Sequence, residues 1–138
     1  MSTVQVIWLQ KGQFVGVDSS KHSVVVSRQD EENGIGVKPS DLLLIALASC
    51  TAVDVVEILR KKRARLEGLE IGAEGVQDPD PPWTFRSIHL KYRLRGKGLI
   101  ATDVARAIEL AESKYCSVSA SVKPTVQVSY EFEILDEG

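Results

Sequence analysis

The stretch "VKPSDLLLIALASCTAVDVVEILRKKRAR", residues Val37–Arg65, is the longest apolar segment of the chain and decides how the fold is predicted. Pro39 suits the first turn of a helix, where its missing N–H costs nothing. Asp41 adds a negative charge near the positive end of the helix dipole. From Leu42 to Cys50 apolar residues cover nearly the whole circumference of the predicted helix. We therefore predict a long central helix that is buried on all sides.

Alternating and β-branched segments on both sides of this helix predict an α+β fold. Three strands precede the helix, two more lie before a second, amphipathic helix at residues 101–116, and one follows it. The predicted strands cover residues 3–9, 13–17, 22–28, 66–77, 84–96 and 125–135. Because runs of strands are joined by short turns, we expect antiparallel sheets wrapped around the long central helix, in a single domain of residues 1–138.

The charge balance and the N-terminus exclude several classes of protein. The chain has 17 basic and 19 acidic side chains and a net charge of −2, so nucleic acid is not an expected partner. The N-terminus has no basic leader followed by an apolar stretch, which argues against a signal peptide. Asp54 and Glu57 interrupt the central apolar run, so no membrane span is expected. We expect a cytoplasmic protein, in which two cysteines act as thiols or as a redox pair.

The apolar helix also bears on the assembly of the protein. A fully apolar helix of about six turns is difficult to cover with the other predicted elements of one small domain. A second subunit would help to cover it. The sequence therefore suggests an intimate homodimer.

The candidate chemistry is that of thiols. The two cysteines, Cys50 and Cys116, form no Cys-x-x-Cys motif, and His22 and His89 lack metal-ligand spacing, so no metal is expected. No glycine-rich phosphate loop or serine nucleophile elbow is present, and no cofactor is expected. A small buried hydrophobe is the common role of a free cysteine and the alternative for both residues, and the helix of Cys50 supplies no cation to stabilise a thiolate.

Each cysteine lies in a longer motif. The first is "KPSDLLLIALASCTAVDVVEILRKKR", in the predicted central helix. The second is "AIELAESKYCSVSASVKPTVQVSYEFE", an alanine-rich helix that ends in Cys-x-Val and leads into the last strand. The two motifs resemble those of the OsmC/Ohr superfamily, especially its YhfA-like branch, and the order and spacing of the predicted elements match this family over essentially the whole chain.

The resemblance implies an intertwined α+β homodimer that reduces organic hydroperoxides in the oxidative stress response. Cys50 would be the peroxidatic thiolate, which becomes a sulfenic acid, and Cys116 the resolving thiol, which condenses with it to a disulfide. An external dithiol, in this family often a lipoyl group, would regenerate both thiols. The resemblance implies neither a metal nor a flavin.

The chain departs from this family at two features that matter for the chemistry. Family members that reduce hydroperoxides have a glutamate directly after the proline and an arginine in the N-terminal strands. Here Ser40 follows Pro39, and the nearest acid is Asp41. The residues that could support Cys50 are the cations Lys11 and Arg28, and also Asp41. Asp41 is out of phase with Cys50 on the helix, so it could reach Cys50 only from the other subunit, or it could instead cap the helix.

Two other functions remain open on the sequence alone. One is a non-catalytic dimer that binds an apolar ligand in a pocket at the subunit interface, beside the central helix. The other is a redox sensor that uses the same pair of cysteines. Inert thiols would favour the first, whereas disulfide formation with poor turnover would favour the second.

Overall fold

The computed structural model describes residues 1–136 and divides the chain into two compact units, one of residues 1–43 and one from Leu44 onward. The first unit contains β1 (Gln5–Gln10), β2 (Gln13–Val17) and β3 (Ser23–Ser27), joined in this order into an antiparallel sheet. These strands lie within two residues of their predicted limits. The single domain remains a prediction.

Strand β1 is apolar but exposed along its entire length. All six of its residues are exposed, and Trp8 retains 66% of its accessible surface. The strand pairs with β2 in a register that shifts between Trp8 and Gln10. The edge strand of the N-terminal sheet is thus apolar, and the side chains on both of its faces are exposed to solvent in the single chain.

Helix α1 (Pro39–Lys61) begins at the predicted proline and is buried along one stripe only. The stripe consists of Leu47, Thr51, Val55 and Leu59, spaced four residues apart. The prediction of burial on all sides is wrong for the single chain, because Ile45 and Val53 are among the exposed residues of α1. The helix is also long and apolar enough to span a membrane by length and composition alone, a property that core helices of soluble proteins share.

The second unit is built on a mixed sheet in the order β4-β5-β6. Strand β4 (Arg65–Gln77) is antiparallel to β5 (Phe85–Lys97), and β6 (Gln127–Asp136) runs parallel to β5. The α+β class is confirmed, but the final strand differs from the antiparallel arrangement that we expected. A parallel neighbour requires a crossover, and residues 98–126 provide one.

The alternation predicted for β5 is confirmed and forms the centre of the core. Ile88, Leu90, Tyr92 and Leu94 are fully buried. They belong to one cluster with the buried stripe of α1 and with Val104, Ala107 and Ile108 of α2 (Ala101–Leu110). The central strand thereby places Tyr92 inside the protein, where its hydroxyl needs a partner.

Candidate active site

The two cysteines meet at the boundary between α1 and the crossover. Cys50 lies in the middle of α1, is half-buried and packs against the core. Cys116 is buried, with 3% of its surface accessible. Both are free thiols, and the side chain of Cys50 is a hydrogen-bonding neighbour of Cys116. The structure thus brings together the two residues that the sequence analysis selected.

The position of Cys116 depends on a break in the helix that was predicted to continue to it. Helix α2 ends at Leu110 and is followed by a π-helical turn, Ala111–Tyr115, in which the N–H of Cys116 donates to the carbonyl of Ala111 over 2.9 Å. Cys116 itself is extended and begins a short helix, α3 (Ser117–Val122). Such π-helical turns are often found at functional sites.

The thiol of Cys116 is held by the first turn of α3. The backbone N–H of Ser119 donates a hydrogen bond to Sγ over 3.2 Å. This bond favours the thiolate, whereas burial and the hydrogen bond with Cys50 favour the thiol. Burial is the largest effect and raises the pKa of Cys116 to about 11. Cys116 is therefore a protonated thiol at neutral pH.

A buried carboxylate lies in the same π-helical turn. Glu112 is 4% exposed and accepts hydrogen bonds from the hydroxyl of Tyr92 over 2.9 Å and from Oγ of Ser119 over 3.2 Å. The ammonium group of Lys123 lies 3.8 Å from the carboxylate and donates to the backbone carbonyl of Glu112 over 2.8 Å. The acid is thus hydrogen-bonded on both carboxylate oxygens.

Tyr92 completes this group of polar side chains beneath Cys116. Burial raises its pKa well above the usual range, and the neighbouring Glu112 acts in the same direction. A hydrogen bond with Thr51 of α1 opposes these effects. Tyr92 is therefore a neutral donor whose hydroxyl links α1, β5 and the π-helical turn.

The three residues predicted to support Cys50 all lie in the N-terminal unit. Lys11 forms an ion pair with Glu32, and Nε of Arg28 lies 3.6 Å from the carboxylate of Asp30. Asp41 is exposed in the first turn of α1. Both candidate cations therefore have acidic partners in the loop that follows β3, and the roles of all three residues remain predictions.

Sequence reasoning missed Glu112, Tyr92 and Ser119. A signal was present for two of them. Glu112 follows the apolar face of α2 at helical spacing, and Tyr92 occupies an inward position in the alternation of β5. Ser119 gave no such signal, because its position depends on the helix break at Cys116.

An open apolar groove of about 610 Å³ runs along α1, and neither cysteine is among its lining residues. It is lined by Ile45, Ala52, Val53 and Val56 of α1 and by Leu69 and Ile71 of β4. Its lining is mainly aliphatic. Within residues 1–136, no group of three or more His, Cys, Asp or Glu side chains is placed to hold a metal ion.

The arrangement of elements and cysteines can be compared with known proteins. The sequence profile of the family described as OsmC-like protein matches residues 30–131, which is most of the chain. This chain belongs to the OsmC-like family. Both cysteines lie within the matched region.

Relatives of this OsmC-like protein are found by sequence and by structure. Protein YhfA of Escherichia coli K12 is 28% identical over 131 residues, covering 95% of this chain and 96% of YhfA. The crystal structure of a hypothetical protein from Aquifex aeolicus VF5 has a TM-score of 0.89 and 28% identity, with 100% and 98% of the two chains covered.

The fold is also shared with a hydroperoxide resistance protein. The organic hydroperoxide resistance protein OhrB of Bacillus subtilis has a TM-score of 0.63 at 13% identity, with 96% of this chain and 98% of OhrB covered. At this identity the likeness concerns the fold. The OsmC-like chain thus shares its fold with an organic hydroperoxide resistance protein, and its polar network of Tyr92, Glu112 and Ser119 must be understood from its own geometry.

Proposed function

We propose that this protein is a thiol-dependent peroxidase that reduces organic hydroperoxides. The observation that carries the proposal is the pairing of a half-buried thiol, Cys50, with a buried thiol, Cys116, in the reduced state. A nucleophile that attacks a substrate needs access, whereas a resolving thiol needs only to reach its partner. The relationship of the fold to organic hydroperoxide resistance proteins supports the same assignment.

The reaction assigns a separate step to each thiol. The Cys50 thiolate attacks the terminal oxygen of the hydroperoxide, the O–O bond breaks, and the alcohol leaves with a proton while Cys50 becomes a sulfenic acid. The thiol of Cys116 then attacks the Cys50 sulfur, which forms a disulfide and releases water. A dithiol reductant, for which a lipoyl group is the proposed type, returns both cysteines to thiols by exchange.

The apolar surroundings of Cys50 suit the organic part of such a substrate. Cys50 lies in an apolar helix and packs against the hydrophobic core, so an alkyl or aryl group that reaches it can be buried among aliphatic side chains. We therefore expect an organic hydroperoxide to react faster than hydrogen peroxide. The proposal places the protein in a reducing compartment such as the cytoplasm, in which the thiols are regenerated between turnovers.

The proposal includes a homodimer. Ile45 and Val53 line the apolar groove on α1, and their side chains are 51% and 64% exposed in the single chain. An exposed apolar surface of this kind marks an interaction site in a soluble protein. A second copy of the chain would cover it.

The test is turnover of cumene hydroperoxide with dihydrolipoamide as the dithiol. We expect turnover by the wild-type protein, background rates for Cys50→Ser, and one oxidation without efficient turnover for Cys116→Ser. Dimedone should label Cys50 in the Cys116→Ser variant, because the sulfenic acid there has no resolving thiol. A wild-type rate equal to that of Cys50→Ser with every dithiol tried would overturn the proposal.

The groove also favours a second candidate, a non-catalytic dimer that binds an apolar ligand. Intact mass after mild hydroperoxide treatment separates the two functions. Loss of two hydrogens that either Cys→Ser substitution blocks supports thiol chemistry, whereas an unchanged mass supports ligand binding alone. A redox sensor would lose the two hydrogens but show little turnover.

A further inference from the structure

Glu112 is a buried acid that the peroxide chemistry does not use. A carboxylate with 4% of its surface accessible loses most of its hydration, which is costly unless other groups replace it. Tyr92 and Ser119 supply hydrogen bonds to its two oxygens, and Lys123 supplies a positive charge 3.8 Å away. Three polar side chains therefore contact this one buried acid and hold it in place.

Ser119 connects this acid to the resolving thiol. Its hydroxyl donates to Oε2 of Glu112 over 3.2 Å, and its backbone N–H donates to Sγ of Cys116 over 3.2 Å. The position of the Ser119 backbone fixes where the Cys116 sulfur lies. Any movement of Ser119 away from Glu112 therefore also moves the donor of Cys116.

Lys123 provides a second attachment of the same segment. Its ammonium group donates to the backbone carbonyl of Glu112 over 2.8 Å, so the residue that follows α3 is bonded to the π-helical turn. Tyr92 attaches the turn to the central strand of the sheet. The carboxylate and carbonyl of Glu112 thus connect α3 to the rigid core.

We propose that Glu112 is a positioning residue that holds Cys116, through Ser119, in the orientation needed to form a disulfide with Cys50. The inference rests on the proposed pairing of the two thiols but not on turnover of hydroperoxides. Glu112 exchanges no atoms in the step, in which the Cys116 thiol displaces the leaving group from the Cys50 sulfur. Its effect is to keep the attacking sulfur within reach.

Two substitutions at Glu112 distinguish the effect of its hydrogen bonds from the effect of its negative charge. Glu112→Gln retains an acceptor for Tyr92 and places an amide donor where Ser119 can accept, so it preserves both contacts and removes the charge. Glu112→Ala removes both contacts. A positioning role predicts slow disulfide formation in Glu112→Ala and near wild-type formation in Glu112→Gln.

The experiment measures the rate of the Cys50–Cys116 disulfide after one equivalent of oxidant, by quenching with acid and counting free thiols by mass. Diamide is the first oxidant, because it converts two thiols to a disulfide and is itself reduced to the hydrazine, with no peroxide involved. Cumene hydroperoxide is the second. Failure of the peroxidase proposal would appear with the hydroperoxide alone, whereas failure of the positioning proposal would appear with diamide.

We expect Glu112→Ala to close the disulfide at least about tenfold more slowly with diamide, the factor that corresponds to loss of one hydrogen bond to a charged group. Glu112→Gln should stay within about twofold of wild type. With the hydroperoxide, dimedone labelling should show that Cys50 is oxidised at the wild-type rate in all variants. General loss of structure would slow that first step as well.

A milder variant keeps the test decisive if Glu112→Ala does not fold. Ser119→Ala removes only the hydroxyl that contacts Glu112, and we expect it to slow closure about threefold. Closure at the wild-type rate in Glu112→Ala, or in Ser119→Ala when the former is unfolded, would overturn the proposal. Equal slowing in Glu112→Gln and Glu112→Ala would also overturn it, because charge would then be the property that matters.

Discussion

The hydroxyl of Tyr92 donates a hydrogen bond of 2.9 Å to the buried carboxylate of Glu112. The bond joins the central strand of the mixed sheet to the π-helical turn that precedes Cys116. The spacing of both residues in the sequence predicts that they face inward, but nothing in that pattern marks them as functional. Their contact nevertheless attaches the segment that carries Cys116 to the core.

Tyr92→Phe should destabilise the protein, because it leaves one oxygen of Glu112 without its donor inside the core. A lost hydrogen bond to a charged group corresponds to about 1.5–3 kcal/mol in the free energy of unfolding. Urea denaturation followed by circular dichroism measures it. The control is Tyr130→Phe, since Tyr130 packs edge-on at 6.4 Å from the Tyr92 ring but is 41% exposed. Equal losses in the two variants would contradict the role given to the Tyr92 hydroxyl.

Stability should fall as pH rises from about 9 to 11. Burial raises the pKa of Cys116 from its ordinary value near 9 to about 11. In this window the unfolded chain releases the Cys116 proton while the folded chain keeps it, so the unfolded state binds fewer protons and the free energy of unfolding decreases. At about 1.4 kcal/mol per pKa unit, the loss reaches up to about 3 kcal/mol.

The pH effect can be assigned with one variant. Cys116→Ala removes the thiol and should reduce the loss of stability between about pH 9 and 11, leaving the contribution of Tyr92, whose raised pKa acts in the same direction. Urea midpoints across this range measure it. The assignment to Cys116 fails when both proteins lose stability equally.

Two glycines of the mixed sheet should respond oppositely to alanine. A Cβ at Gly96 would lie 2.1 Å from the carbonyl oxygen of Arg65 on the adjacent strand, so Gly96→Ala forces the two backbones apart. We expect a loss of about 1–3 kcal/mol. At Gly72 a Cβ would meet no atom within 4 Å, so Gly72→Ala should be neutral or stabilise the protein by up to about 1 kcal/mol. Thermal unfolding of both variants checks the contrast, and a Gly96→Ala protein as stable as wild type would contradict it.

Val53→Asp should dissociate the proposed dimer while leaving the fold of each chain intact. Val53 is 64% exposed in the single chain, so a carboxylate there meets water in a monomer but loses it in a covered groove. Light scattering after gel filtration gives the mass. Thr102→Asp, on an exposed turn of α2, is the control and should retain the wild-type mass. A Val53→Asp protein with the mass of a dimer argues against this interface.

The sequence predicted those features that depend on the periodicity of a single element. Alternation along β5 placed Ile88, Leu90, Tyr92 and Leu94 correctly in the core, and Pro39 was correctly placed in the first turn of α1. Two cysteine motifs at the family's separation selected the pair that the fold brings together. These are local patterns, and each is set by the face that one helix or strand presents.

The features that were missed depend on which element lies beside which. The amphipathic pattern from residue 101 continues through Cys116, so nothing in it marks the change to π-helical hydrogen bonding at Ala111. An apolar strand looks the same whether its neighbour is parallel or antiparallel, which is why the direction of β6 was not foreseen. The all-round apolarity of α1 does not say what covers Ile45 and Val53.

The parallel pairing of β6 with β5 has a consequence for how oxidation affects the molecule. Glu112, Cys116 and Ser119 lie in the crossover that connects β5 to β6. The two strands at its ends are hydrogen-bonded to each other. The crossover can therefore change its local conformation without breaking any hydrogen bond between strands. The proposed disulfide at Cys116 would therefore change only one small part of the chain and would leave the hydrogen bonds of the sheet intact.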